Sequence, residues 1–146
     1  MLELSIVVPV YNEEESVSLL CENLHSSLSV LGKSYEIILV DDGSNDRTWP
    51  LLQEAAQKFP NFVLVRLRRN FGQTAAMSAG FNEAAGSVII TLDADLQNDP
   101  ADIPLLLEKM NDGLFYITFT SVKRMRVIVV IKALGLLKDE EITKII

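Results

Sequence analysis

One cysteine, Cys21, and one histidine, His25, are all that this sequence offers of the commonest transition-metal ligands. A lone cysteine excludes an internal disulfide and a cysteine-based zinc site. Within a helix-like stretch it reads as a small packed apolar side chain. His25 lies in the same stretch, where a single histidine is far more often surface or packing than catalytic, and it is assigned no role. Neither a Gly-x-Gly-x-x-Gly fingerprint nor a Gly-Lys-Ser/Thr phosphate loop occurs, so dinucleotide-dependent oxidoreductases and P-loop NTPases lose most of their weight. Long apolar runs are missing too: uncharged apolar windows reach only about ten residues, too short to span a bilayer. With no basic segment leading into an apolar one at the N-terminus, the chain is expected to be cytoplasmic, without a transmembrane segment. Basic residues are scarce where they would matter for nucleic acid. Residues 1–113 hold 7 Lys and Arg against 17 Asp and Glu, whereas residues 114–146 hold 6 against 3. So acidic a body argues against nucleic acid as a partner, because phosphate backbones need a basic surface.

What is present is a core-forming chain of 146 residues, half of them apolar, and so one domain or a piece of one. Leu4–Val10, Tyr35–Val40, Phe62–Leu67 and Ser87–Leu92 are short, nearly continuous apolar runs, the pattern of strands buried on both faces. Between them lie stretches of helical character. Glu13 to Leu31 carries apolar residues at Val17, Leu20, Leu24, Leu28 and Leu31, acids in its first turn and Gly32 after its end. Asn45-Asp46 can cap a helix from Arg47 to Phe59 that stops at Pro60. Gln73 to Ala85 is rich in small residues and ends at Gly86, with Gly80 marking close packing. Ala101 to Met110 follows Asp99-Pro100, an N-cap with proline at the first helical position. Strand and helix thus alternate four times, which predicts a doubly wound α/β domain with a mostly parallel sheet.

In such a sheet, ligands collect at the carboxyl ends of the strands, near the point where strand order reverses. Three of the four strands end there in polar or acidic clusters: Tyr11-Asn12-Glu13, Asp41-Asp42-Gly43-Ser44 and Asp93-Ala94-Asp95. The topology is therefore expected to gather Glu13, Asp41, Asp42, Asp93 and Asp95 on one rim. Asp93 and Asp95, two positions apart, fall on one side of the backbone. Two adjacent carboxylates repel each other unless a cation or hydrogen-bond donors neutralise them. An all-oxygen ligand set suits Mg²⁺ or Mn²⁺ together with the oxygens of a phosphorylated substrate. The plain alternative is a polar turn with an Asp helix cap.

Four motifs occur in the order seen in family 2 glycosyltransferases: Pro9-Val10-Tyr11-Asn12-Glu13-Glu14, Asp41-Asp42-Gly43-Ser44, Arg69-Asn70-Phe71-Gly72-Gln73 and Asp93-Ala94-Asp95-Leu96-Gln97. Over about residues 4–113 the chain resembles the polyprenyl-phosphate branch of that family, such as dolichol-phosphate mannose synthase and the bacterial undecaprenyl-phosphate sugar transferases. The resemblance implies a GT-A fold, incomplete at the C-terminus, and a UDP- or GDP-linked sugar donor. It places Pro9, Tyr11, Asn12, Glu13, Asp41, Asp42, Arg69, Asp93 and Ala94 around the nucleotide sugar. Asp41 would lie near the base or ribose, Arg69 near the diphosphate, and Asp93, Asp95 and Gln97 would hold the metal. It also implies inversion at the sugar and a polyprenyl-phosphate acceptor met at the inner face of the plasma membrane.

The same reading divides the chain into 1–113, a nucleotide-sugar-binding half, and 114–146, a divergent extension. Leu114–Ser121 is expected as a fifth strand, and Lys123, Arg124 and Arg126 as a solvated flank. No catalytic base is recognisable. Three functions therefore follow: a metal-dependent glycosyltransferase, a donor-binding module without turnover, or a fragment that associates as a homodimer through an unprotected sheet edge and apolar surface.

Overall fold

β1 (Leu4–Val10) is buried at every position, as a strand with neighbours on both edges and helices on both faces must be. A computed structural model describes residues 1–97, 99–111, 120–122 and 125–130. Around β1 stand β2 (Tyr35–Asp41), β3 (Phe62–Arg66) and β4 (Val88–Thr91), parallel to one another in the order β3-β2-β1-β4. Beyond β4 come β6 (Met125–Val130), antiparallel to β4, and β5 (Thr120–Val122), antiparallel to β6. The mostly parallel sheet is thus as expected. Of the strand expected over Leu114–Ser121, residues 114–119 lie outside the described residues. The strand that joins β4 is instead formed by Met125–Val130.

The alternation of side chains across β1 sorts the core into two layers. Ile6, Val8 and Val10 pack with α1 (Val17–Ser29), α2 (Thr48–Lys58) and α4 (Ile103–Asn111) through Leu20, Leu24, Leu52 and Ile103. Val7 packs on the opposite face with Ile38, Val40 and Ala76, Met77 and Phe81 of α3 (Gln73–Glu83). Gly80 allows that second layer to close: a Cβ there would overlap Val7 and come within 3.1 Å of Val40 Cγ2. Cys21 is a core residue, 1% exposed, and burial first, with Glu22 adding, pushes its thiol up to about 12. The thiol is inert at neutral pH. His25 stacks on Phe59, with ring centroids 4.3 Å apart.

Of the helix ends that differ from expectation, two do so for a tertiary reason. α1 begins at Val17 rather than Glu13, and no acid lies in its first turn. Glu13 and Glu14 are engaged with the loop after β2 instead: Glu13 N–H donates to Thr48 Oγ1 at 2.8 Å, and Glu14 Oε2 accepts from Arg47 N–H at 2.9 Å. α3 ends at Glu83, three residues before Gly86. Gly86 serves a different purpose, since a Cβ there would stand 2.6 Å from Leu4 C and Ser5 N, the backbone of β1. The proline-led start of the last helix is as predicted, although the chain passes first through a 3-10 turn, Pro100–Asp102, capped by the Asp99 side chain on Ala101 N–H.

Candidate functional site

Pairing of β1 with β2 runs on to Val10↔Asp41, but pairing with β4 stops at Val7↔Thr91. The reason lies in Pro9. Val7 O accepts from Leu92 N–H on the β4 side, and Val10 O accepts from Asp42 N–H on the β2 side. Backbone groups of a central parallel strand alternate between its two neighbours, so the N–H that proline lacks would have pointed at β4. With no donor to hold it, β4 leaves the sheet, and a cleft of about 380 Å³ opens at the strand ends. This is the place where strand order reverses between β1 and β4, where an open α/β sheet binds its ligands.

The cleft is walled by Pro9 and Val10 at the end of β1 with Tyr11 and Glu13 just after it, by Asp93, Ala94 and Asp95 after β4, and by Asp42, Asn70 and Gly72 between β2 and α3 with Gln73 at the start of α3. Each wall has its own fastening. Asn12 takes a left-handed conformation (φ 50°), donates its N–H to Ser44 Oγ and accepts from Asn45 N–H through Oδ1, both at 2.9 Å. That joins the first loop to the second. Asp46 fastens the other side: burial raises its pKa, but hydrogen bonds from the Thr48 side chain, Thr48 N–H and Glu14 N–H outweigh it and hold the carboxyl below its ordinary value.

Asp42 is 3% exposed and accepts from Phe71 N–H at 2.8 Å and Gly72 N–H at 3.0 Å. Gly72 sits at φ 98°, where a side chain would be strained, and turns the chain into α3. The first residue of that helix, Gln73, donates from Nε2 to Asp93 Oδ1 at 2.9 Å. A buried carboxylate thus sets a loop, and the loop sets a side chain on a cleft carboxylate. In the last wall Asp95 is exposed and its Oδ1 accepts from Gln97 N–H at 3.0 Å. Leu96 between them is held at φ 60°, a conformation costing about 1–2 kcal/mol in an L-residue. Backbone strain of that kind concentrates at functional loops.

Of the residues singled out in the sequence, Pro9, Tyr11, Glu13, Asp42, Asp93, Ala94 and Asp95 line this cleft. Asn12 does not line it but ties the loop after β1 to Ser44 and Asn45. Gln97 contributes its backbone N–H to Asp95 and does not line the cleft. Asp41 is fully buried outside it, accepting from Ser44 N–H and paired with Arg66 Nε at 3.4 Å. Arg69 lines a second cleft beyond the loop, with Arg66 and Arg68. Four further residues line the first cleft: Val10, the last residue of β1, and Asn70, Gly72 and Gln73. The latter three lie within the Arg69–Gln73 motif, whose position between a strand and a helix is the only available signal.

Among the described residues no three His, Cys, Asp or Glu side chains converge as a closed metal cage. Asp93 and Asp95 instead form a two-carboxylate, all-oxygen set open to a roomy cleft. That arrangement fits a hard cation which takes one or two carboxylates and fills its remaining positions with water and phosphate oxygens.

The model of glycosyl transferase family 2 matches residues 5–130. The chain belongs to that family. It is 54% identical over 110 residues to an undecaprenyl-phosphate 4-deoxy-4-formamido-L-arabinose transferase of Pectobacterium atrosepticum, covering 75% of this chain and 34% of that protein. The protein of the same description in Proteus mirabilis is 50% identical over 112 residues, covering 76% of this chain and 34% of the relative. The chain spans about a third of the length of these curated relatives. Among solved structures, a mannosyltransferase from Pyrobaculum calidifontis in complex with GDP-Man and Mn²⁺ matches with a TM-score of 0.59 at 25% identity, covering 64% of this chain and 27% of that one. Glucosyl-3-phosphoglycerate synthase from Mycobacterium tuberculosis matches with 0.59 at 20% identity, covering 74% and 39%. The expected GT-A fold is the fold observed. The family match continues past Gly113, taking in the strands β5 and β6. Among the described residues no helix is long and apolar enough to cross a membrane.

Proposed function

We propose that this chain carries the donor site of a metal-dependent glycosyltransferase, which moves a sugar from a nucleotide-diphosphate carrier to polyprenyl phosphate. The observation that carries this reading is the pair Asp93 and Asp95 in a cleft opened at the strand-order reversal of a family 2 chain. The description of the curated relatives as undecaprenyl-phosphate transferases supports the acceptor, and the GDP-Man and Mn²⁺ held by the Pyrobaculum mannosyltransferase support donor and metal classes.

In this proposal Asp93 and Asp95 hold Mg²⁺ or Mn²⁺, with Gln97 fixing Asp95 through its backbone. The cation supplies Lewis-acid stabilisation of the negative charge that develops on the departing diphosphate. Tyr11, 41% exposed at the rim, offers a ring on which a base can stack, and Pro9 and Glu13 complete the nucleoside wall. Ala94, buried and small, lets the chain pass close beneath the ribose. Gln73 holds Asp93 in one orientation, so the carboxylate does not have to be ordered when the donor arrives. Asp42 acts through the Phe71–Gly72 backbone rather than on the donor.

Calorimetric titration with UDP and with GDP, each with and without Mn²⁺, tests the reading. Metal-dependent binding of one nucleotide, weakened about 100-fold in Asp95→Ala with an unchanged melting temperature, is expected. Affinity that ignores Mn²⁺, or survives in Asp95→Ala, overturns it.

A further inference from the structure

A second cleft, of about 680 Å³, lies on the far side of the loop that walls the first. Its chemistry is the reverse. Arg66, Arg68 and Arg69 line it, together with Ser44, Asn45 and Asn70. The lysines with described side chains, Lys33 and Lys58, are committed to Glu3 and Glu22 at 3.0 and 3.1 Å. Arg68 and Arg69 pair with no carboxylate among the described residues, and Arg66 reaches only the buried Asp41, at 3.4 Å. Three guanidinium groups in one concavity repel one another, an arrangement that favours an anion between them.

The arginines are also braced. Arg69 lies 4.3 Å from the centroid of the Phe71 ring, Arg68 lies 6.0 Å from the same ring, and Arg66 stacks on Trp49 at 5.0 Å. A guanidinium held by its face keeps the N–H groups on its edge available, and that edge matches the oxygens of a phosphate. The loop carrying Arg68 and Arg69 is itself fixed. Gly43, at φ 70°, packs against the Arg69 backbone so closely that a Cβ would stand 2.6 Å from Asn70 N, and Asp42 holds Phe71 N–H.

We propose that this arginine cleft is a second, metal-independent binding site, specific for a phosphate group. The acidic cleft can accept such an anion only through a cation, so a metal-free titration separates the two sites. The inference stands whether or not the acidic cleft takes a nucleotide. A phosphate can reach this rim as a soluble ion or as a lipid headgroup, and two probes distinguish them: inorganic pyrophosphate with EDTA, and sedimentation with phosphatidylglycerol vesicles against phosphatidylcholine vesicles.

The variant is Arg68→Gln with Arg69→Gln, both exposed. The control, Lys33→Gln with Lys58→Gln, removes the same charge elsewhere. Pyrophosphate binding by the unaltered chain should weaken about tenfold or more in the arginine variant and stay unchanged in the control, because charge-assisted hydrogen bonds are lost only in the former. Vesicle binding lost in the same variant, with or without pyrophosphate binding, assigns the site to a lipid phosphate. Pyrophosphate binding without vesicle binding assigns it to a soluble one. No binding of either probe, or equal loss in variant and control, overturns the proposal.

Discussion

The two ends of the sheet carry the same kind of residue and use it in opposite ways. At the amino end Glu36 Oε1 accepts from Ser5 Oγ at 2.5 Å and from Ala85 N–H at 2.8 Å, while Ser5 Oγ accepts from Gly86 N–H at 2.8 Å. Ser5 is fully buried, and Gly86 packs so near β1 that nothing can enter. At the carboxyl end Asp93 and Asp95 border open space. A carboxylate becomes a binding group when the fold leaves room in front of it, and a structural one when the chain closes over it. What separates the two ends is backbone: a glycine brings β1 and the α3–β4 turn together at one end, and a proline releases β4 at the other.

The strongest way to break the contrast is to force the closed end open. Gly86→Ala should cost about 3 kcal/mol, the upper range for overpacking, because the Cβ meets backbone that cannot swing aside. Chemical denaturation should show that loss, while metal-dependent nucleotide affinity in the folded fraction stays at the parent value. Loss of affinity without loss of stability would mean that the two ends are coupled. At the open end, Gln73→Ala should leave stability unchanged and weaken Mn²⁺-dependent nucleotide binding about tenfold, the scale of an orienting partner of a metal ligand. A calorimetric affinity equal to that of the unaltered chain would remove Gln73 from the site.

The smallest effect sharpens the comparison by showing that one carboxylate at the open end is structural. Asp46→Ala should cost about 1 kcal/mol at neutral pH through its bond to Thr48 N–H. Its folded pKa lies below its unfolded one, so the stabilisation is present above the unfolded value and is lost as pH falls through the folded value. Melting curves of the two proteins should converge in that acid window. A gap that persists in strong acid would show that the contribution is not carried by the ionised carboxyl.

Much of this was legible because it depends on local pattern. The apolar runs located β1 to β4, and their near-continuous apolarity announced a parallel sheet covered on both faces, as Leu4–Val10 confirms. Short runs ending in acids announced a polar rim. Three particulars were not legible. Asp41 and Asp42 are equivalent in the sequence, yet successive residues point to opposite sides of a strand end: Asp41 turns to Arg66 and Asp42 to the Phe71–Gly72 backbone. Glu13 and Glu14 suited the start of a helix, but Thr48 and Arg47 across the loop engaged them first. Gly86 resembled a helix stop and proved to be a packing contact with Ser5, 81 residues away in the chain.

Periodicity over a few residues was enough to set the alternation of strands and helices, the core faces and the carboxylates at the strand ends. Contacts between distant segments settled which carboxylates face space, that Gln73 holds Asp93, and that Arg66, Arg68 and Arg69 share one cleft. Those outcomes depend on which neighbour each strand keeps and where it lets go. That is a relation between residues distant in the chain, and no local pattern encodes it.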